Sequence, residues 1–151
     1  MHKLLILTAL LLSCGVSQAG EVLIGDSEVV YQTIALESSN QPMEGQALVA
    51  LTLINRARDR HTTPEIEALR PFQYSCWNEG GKWAKRWIRR FYTPEASQRA
   101  RMALKRAITL SVRPEYQGIR HYHVIGVHPK WAKGAVPVFR VGSHLFYSNI
   151  K

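Results

Sequence analysis

Glu37 stands directly after Ile34-Ala35-Leu36 and before the polar run Ser38-Ser39-Asn40-Gln41-Pro42. Against an apolar wall a carboxyl loses hydration of its charged form and can hold a proton near neutrality, as a general acid requires. A solvated surface acid fits the same local pattern, so pattern alone does not choose between them. The run Phe72-Gln73-Tyr74-Ser75-Cys76-Trp77 alternates aromatic rings with hydrogen-bonding groups. Pyranose rings have apolar C–H faces and polar edges, so this composition suits a sugar site, although the rings could equally be core. Cys76 reads as a small buried residue, because nothing around it in sequence would lower its pKa.

His121 and His123 lie two apart in a β-prone stretch, so both project from one strand face and Tyr122 from the other. With His128 or His144 as a third ligand they could hold zinc and activate a water. No HExxH or comparable spacing accompanies them, and imidazoles also line polar clefts. Trp131 has two readings as well, cleft wall or core anchor. The stretch Lys82 to Arg90, with Trp83 and Trp87 among its charges, could bind phosphates and stack bases. A solvated helix face with both tryptophans turned inward is the simpler account.

Helical signals fill the first half of the chain. Asp26 or Ser27 can cap a helix from about Glu28 to Glu37, and residues 38–42 break it. Pro42 suits the first turn of a second helix, where Ala47, Ala50, Leu51 and Ile54 make one apolar face and Arg56 to Arg60 end it in charge. A third helix is expected from Pro94 to about Leu110, capped by Thr93, with Ala100, Ala103, Leu104 and Ala107 on its packing face. The segment from Phe72 to Tyr92 reads as aromatic and irregular, with a turn at Gly80-Gly81. After Pro114, residues 121–127 are β-prone, and 138–141 and 144–147 flank Gly142-Ser143 as hairpin strands would. Helices first and a small antiparallel sheet last argue for an α+β fold.

The whole chain has 151 residues, 46% hydrophobic and 21% charged, with 20 Lys and Arg against 11 Asp and Glu for a formal +9. That is a globular composition whose partner should be a polyanion: nucleic acid, an anionic membrane or an anionic envelope polymer. Residues 1–19 have a short positive start, an apolar Leu4 to Leu12 run and a Ser17-Gln18-Ala19 site, the layout of a secretory signal peptide. The expectation is export to the periplasm or cell envelope, where nucleic acid is a poor target. Residues 20–151 are then a single domain, which keeps the basic excess because the removed segment carries one Lys and no acid. Leu11-Leu12-Ser13-Cys14-Gly15 also resembles a lipobox, which would leave a membrane tether through a lipidated Cys14. In either case Cys76 has no thiol partner in the domain.

Three ordered blocks carry a resemblance: Ile34 to Gln46 continuing through Leu53-Ile54-Asn55-Arg56-Ala57; Phe72 to Trp77; and His121-Tyr122-His123 through Pro129-Lys130-Trp131-Ala132 to Gly142-Ser143-His144-Leu145-Phe146-Tyr147. Together they resemble the SleB-type cell wall hydrolases, peptidoglycan-cleaving domains that include spore-cortex-lytic enzymes. The resemblance implies a lysozyme-like, lytic transglycosylase-like fold, a mostly helical lobe with a small C-terminal sheet. It also implies Glu37 as the catalytic acid/base, no cofactor and no metal. The expected partner is a peptidoglycan glycan strand, bound by a monomer and cut at the β-1,4 link between N-acetylmuramic acid and N-acetylglucosamine. The expected cleft residues are Gln73, Ser75, Trp77, His121, Tyr122, His123 and Tyr147. Where many members read Glu-Ala-Arg-Gly-Glu, this chain has Glu37-Ser38-Ser39-Asn40-Gln41, so the second acid is an amide. Two alternatives stay open: a zinc amidase built on His121, His123 and His144, and a glycan-binding module without activity.

Overall fold

The apolar stretch of residues 45–55 lies at the centre of the molecule, inside helix α2 (Met43–Asp59). Every residue from Gly45 to Asn55 is buried, not just the stripe Ala47, Ala50, Leu51 and Ile54 that the spacing picks out. Neighbours on all sides explain the difference: α1 (Glu28–Ser38), α3 (Pro64–Leu69), α5 (Pro94–Ser111) and strand β1 (Ile119–Val124) all pack on α2. A helix so enclosed must satisfy its polar side chains internally. Gln46 Nε2 donates to the Gln41 carbonyl at 2.9 Å, and Thr52 shares a hydrogen bond of 3.0 Å with the Tyr74 hydroxyl. Asn55 Nδ2 donates to the carbonyls of Tyr116 and Ile119, both at 2.9 Å, and Arg56 Nε donates to the Arg120 carbonyl at 2.6 Å. Asn55 and Arg56 thus fix where β1 begins.

The computed structural model describes residues 26–78, 81–148 and 150. The expected signal peptide and the lipobox cysteine Cys14 lie outside the described residues. Among the described residues no helix is long and apolar enough to cross a membrane. Helix α1 begins at Ser27, whose side chain makes no capping bond; Asp26 instead accepts from Arg101 of α5 at 2.8 Å. Pro42 is the residue before α2 rather than its first-turn member. Thr93 caps α5 as its sequence predicts, its hydroxyl accepting from Ala96 N at 3.2 Å. The small side chains Ala100, Ala103 and Ala107 are fully buried and let α5 lie close to α2.

One helix, α3, is added to those expected, and the solvated helix expected of Lys82 to Arg90 forms with Trp87 packed on the core but Trp83 39% exposed rather than turned inward. Short α3 is capped by Thr63, and its Glu67 carboxylate, fully buried, is matched by ion pairs to Arg60 and Arg70. Helix α4 (Lys82–Phe91) takes up the basic tryptophan stretch, after a 3₁₀ turn at Ser75–Trp77. The fold is α+β, with five α-helices among the described residues and a three-stranded antiparallel sheet near the C-terminus. Strands β1, β2 (Phe139–Val141) and β3 (His144–Ser148) run in the order β1-β3-β2. The register pairs Tyr122 with Phe146, His123 with Leu145 and Val124 with His144, after an irregularity between Ile119 and His121.

Candidate active site

Glu37 sits in the last turn of α1, half-buried, and three donors reach it from two other elements. Ser75 Oγ and the Cys76 amide donate to Oε1 at 3.0 and 3.2 Å, and the Tyr122 hydroxyl donates to Oε2 at 3.0 Å. Oε1 is thereby filled, while Oε2 keeps a lone pair, the position from which a proton could be given or taken. Burial, reinforced by the Glu37 charge, holds the Tyr122 proton well above the usual tyrosine range, so this hydroxyl is a fixed donor. The same two influences, in the same order, push the Cys76 thiol up and make it an inert, buried residue.

Glu37 opens onto a groove of about 380 Å³ lined by Leu36, Glu37, Ser39, Asn40, Gln41, Trp87, Phe91, Val124, Ser143 and His144. One wall is the α1–α2 loop, another is α4 through Trp87 and Phe91, and the third is the end of the sheet. Gln41, only 5% exposed, ties the first wall to the third. Its Nε2 donates to Asn40 Oδ1 at 2.7 Å and Ser143 Oγ at 2.9 Å, and its Oε1 accepts from Ser143 N at 2.9 Å. Close approach requires glycine at 142, with φ of +57°, where a Cβ would run into Gln41 Oε1 and come within 2.9 Å of Pro42 Cδ. The Gln41 amide is therefore a structural clamp in this chain. Gln41→Ala should cost about 2 kcal/mol of stability, seen as a lower urea midpoint at unchanged slope, because it strands the half-buried amide and hydroxyl of Ser143.

The sheet divides the residues expected in the cleft. Ser75 and Tyr122 meet Glu37, and Tyr122, His144 and Phe146 form a ring cluster on the face toward it, with centroids 5.1 to 5.9 Å apart. His121, His123 and Tyr147 point to the opposite face, because strand side chains alternate. There they pack with Trp131, and His123 Nε2 shares a 2.8 Å hydrogen bond with the Tyr147 hydroxyl. Gln73 and Trp77 are likewise outside the groove lining. Trp77 is anchored on α1 by its Nε1 donating to Thr33 Oγ1 at 2.8 Å, and Tyr74 is core. Phe72, with φ of +63°, is 88% exposed. His144 projects from the other face to His121 and His123, so that histidine set does not converge, and His128 is exposed. Among the described residues no three His, Cys, Asp or Glu side chains are grouped to hold a metal ion.

His144 is 2% exposed, lines the groove and has no hydrogen-bond partner on its buried Nδ1. Burial lowers its pKa against the pull of Glu37, with His123 adding to the lowering. Burial, then Arg56, Arg120 and Arg60, lower that of His121. The unfolded chain then takes up protons below about pH 6.5 that the folded chain refuses, so this stability is present above that pH and lost as pH falls. Thermal midpoints measured from about pH 7.5 down to about pH 5 should fall, and the His121→Asn/His144→Asn double variant should show a shallower decline.

Residues 40–147 match the family model described as Cell Wall Hydrolase. The chain belongs to the cell wall hydrolase family. The match spans well over half of the chain and takes in the α1–α2 loop, α2 through α5 and the sheet up to Tyr147. Its first residue, Asn40, follows Glu37 by three positions, so Glu37 lies outside the matched residues. No curated protein and no solved structure matches the chain. As a member of this family the protein is a peptidoglycan hydrolase, with peptidoglycan as its substrate. The clamp at Gln41, missed in sequence, belongs to this enzyme's groove, as do Trp87 and Phe91. Their i, i+4 spacing was the available signal, since it continues the row begun by Trp83.

Proposed function

We propose that this cell wall hydrolase is a lytic transglycosylase that cuts the N-acetylmuramic acid to N-acetylglucosamine β-1,4 bond with Glu37 as its one acid and base. A single observation carries the reading: among the described residues lining the groove, Glu37 is the only carboxylate, and it is held by three donors from outside its own helix. A retaining or inverting hydrolase needs a second carboxylate at a set separation across the sugar. A transglycosylase does not, because a hydroxyl of the substrate is the nucleophile.

Glu37 would give its proton to the bridging oxygen as the anomeric C–O bond breaks. The resulting carboxylate would then take the proton of the muramic 6-hydroxyl as that oxygen bonds to the anomeric carbon. The balance is closed with no water added, and the product carries a 1,6-anhydromuramic end. Ser75 and Tyr122 keep the carboxyl aimed, and Trp87 and Phe91 offer ring faces to the sugars. Asn40 and Ser143 offer polar groups to sugar hydroxyls. The enzyme acts outside the cytoplasm, exported by residues 1–19, and its positive charge draws it to an anionic envelope.

Mass spectrometry of digested sacculi tests the mechanism. Anhydromuramic ends are expected. Reducing muramic ends would replace the transglycosylase by a hydrolase, and freed stem peptides with intact glycan would replace it by an amidase.

A further inference from the structure

Helix α4 carries Lys82, Lys85, Arg86, Arg89 and Arg90, and none of the ion pairs among the described residues involves any of the five. The acids that do form ion pairs among the described residues use other cations: Asp26 and Glu28 pair with Arg101, Glu44 with Arg106, Asp59 with Arg120, and Glu67 with Arg60 and Arg70. Lys82, Arg86 and Arg90 recur every fourth residue, so they form one ridge whose backbone rises about 6 Å from one cationic residue to the next. The adjoining ridge is Trp83, Trp87 and Phe91, of which Trp87 and Phe91 line the groove of Glu37. The Arg90 guanidinium lies 5.4 Å from the centre of the Phe91 ring, which places the end of the cationic ridge at the groove rim.

Resting on the transglycosylase reading, we infer that this ridge binds the carboxylates of the stem peptides borne by the glycan strand, so that the enzyme prefers peptide-bearing peptidoglycan to denuded glycan. Each muramic acid carries its peptide on a lactyl group, so a strand lying in the groove projects anionic substituents past its wall. The wall is α4. A lipid surface fits less well, because a membrane-lying helix needs its apolar face free, whereas Trp87 here packs on the core and only Trp83 (39%) and Phe91 (49%) reach solvent appreciably. Long, solvated cations are suited to mobile carboxylates that arrive with the substrate.

The test uses the whole chain and the variant Lys82→Gln/Arg86→Gln/Arg90→Gln, checked for an unchanged thermal midpoint. Co-sedimentation is measured with intact sacculi, with sacculi stripped of stem peptides, and with phosphatidylglycerol vesicles. The wild type should bind intact sacculi about tenfold more tightly than stripped ones at low salt, and lose the preference near 1 M salt, where charges are screened within about 3 Å. The triple variant should bind both sacculi alike, at the wild-type level for stripped material, and should release anhydro ends from stripped glycan at the wild-type rate. Equal wild-type binding to both sacculi overturns the proposal, as does a preference that survives in the variant. Vesicle binding that the variant loses while keeping its preference assigns the ridge to membranes instead. A peptide preference without anhydro products would remove the transglycosylase reading and leave the ridge standing. Anhydro products without a preference would do the reverse.

Discussion

Glu37→Gln should abolish clearing of sacculi, with a rate loss of roughly 10³-fold, or about 4 kcal/mol of transition-state stabilisation, while the thermal midpoint stays near that of the wild type. The fold should tolerate the change because the amide oxygen can still accept from Ser75 Oγ and the Cys76 amide, and the Tyr122 hydroxyl can accept from the new NH₂ group. What glutamine cannot do is deliver and recover a proton. Binding to sacculi should therefore persist, and co-sedimentation beside turbidity clearing separates lost chemistry from lost affinity. A variant that clears sacculi as fast as the wild type would show that Glu37 is not the acid.

Tyr122→Phe is expected to have the second largest effect. It removes the one donor on Glu37 Oε2 and almost no volume, and the hydroxyl is not part of the groove lining. A hydrogen bond to a charged group contributes about 1.5–3 kcal/mol, so kcat should fall about tenfold to a hundredfold with KM little changed. That split identifies a positioning residue acting through Glu37. A raised KM at unchanged kcat would instead mean that Tyr122 grips the substrate directly. Ser75→Ala should follow the same pattern more weakly, because the Cys76 amide still holds Oε1.

Hydrophobic spacing and turn residues made much of this architecture legible. Thr93 and Pro94 start α5 where capping chemistry says they should, and Gly142-Ser143 turns β2 into β3. The alternation of His121, Tyr122 and His123 gave their division between two faces, since it follows from strand geometry alone. Which face met Glu37 was not available from that geometry. Helix α2 is buried more widely than its spacing predicts for a related reason: periodicity reports the most apolar stripe, whereas burial on all sides depends on which elements surround it. The short α3 escaped notice because one capped turn and a half leaves almost no periodic signal.

The sequence by itself determined most of the element types, the basic excess, the three blocks of family resemblance and the placing of an acid at the end of an apolar helix turn. Only the tertiary structure decided that Ser75, Cys76 and Tyr122, distant in the chain, converge on that acid, that Gln41 clamps the loop to the hairpin, and that α4 walls the groove. The physical reason is range. Propensity, capping and alternation act over a few residues, whereas a site is made where the shared core folds such segments against one another, and the partner of a given side chain is fixed by that packing.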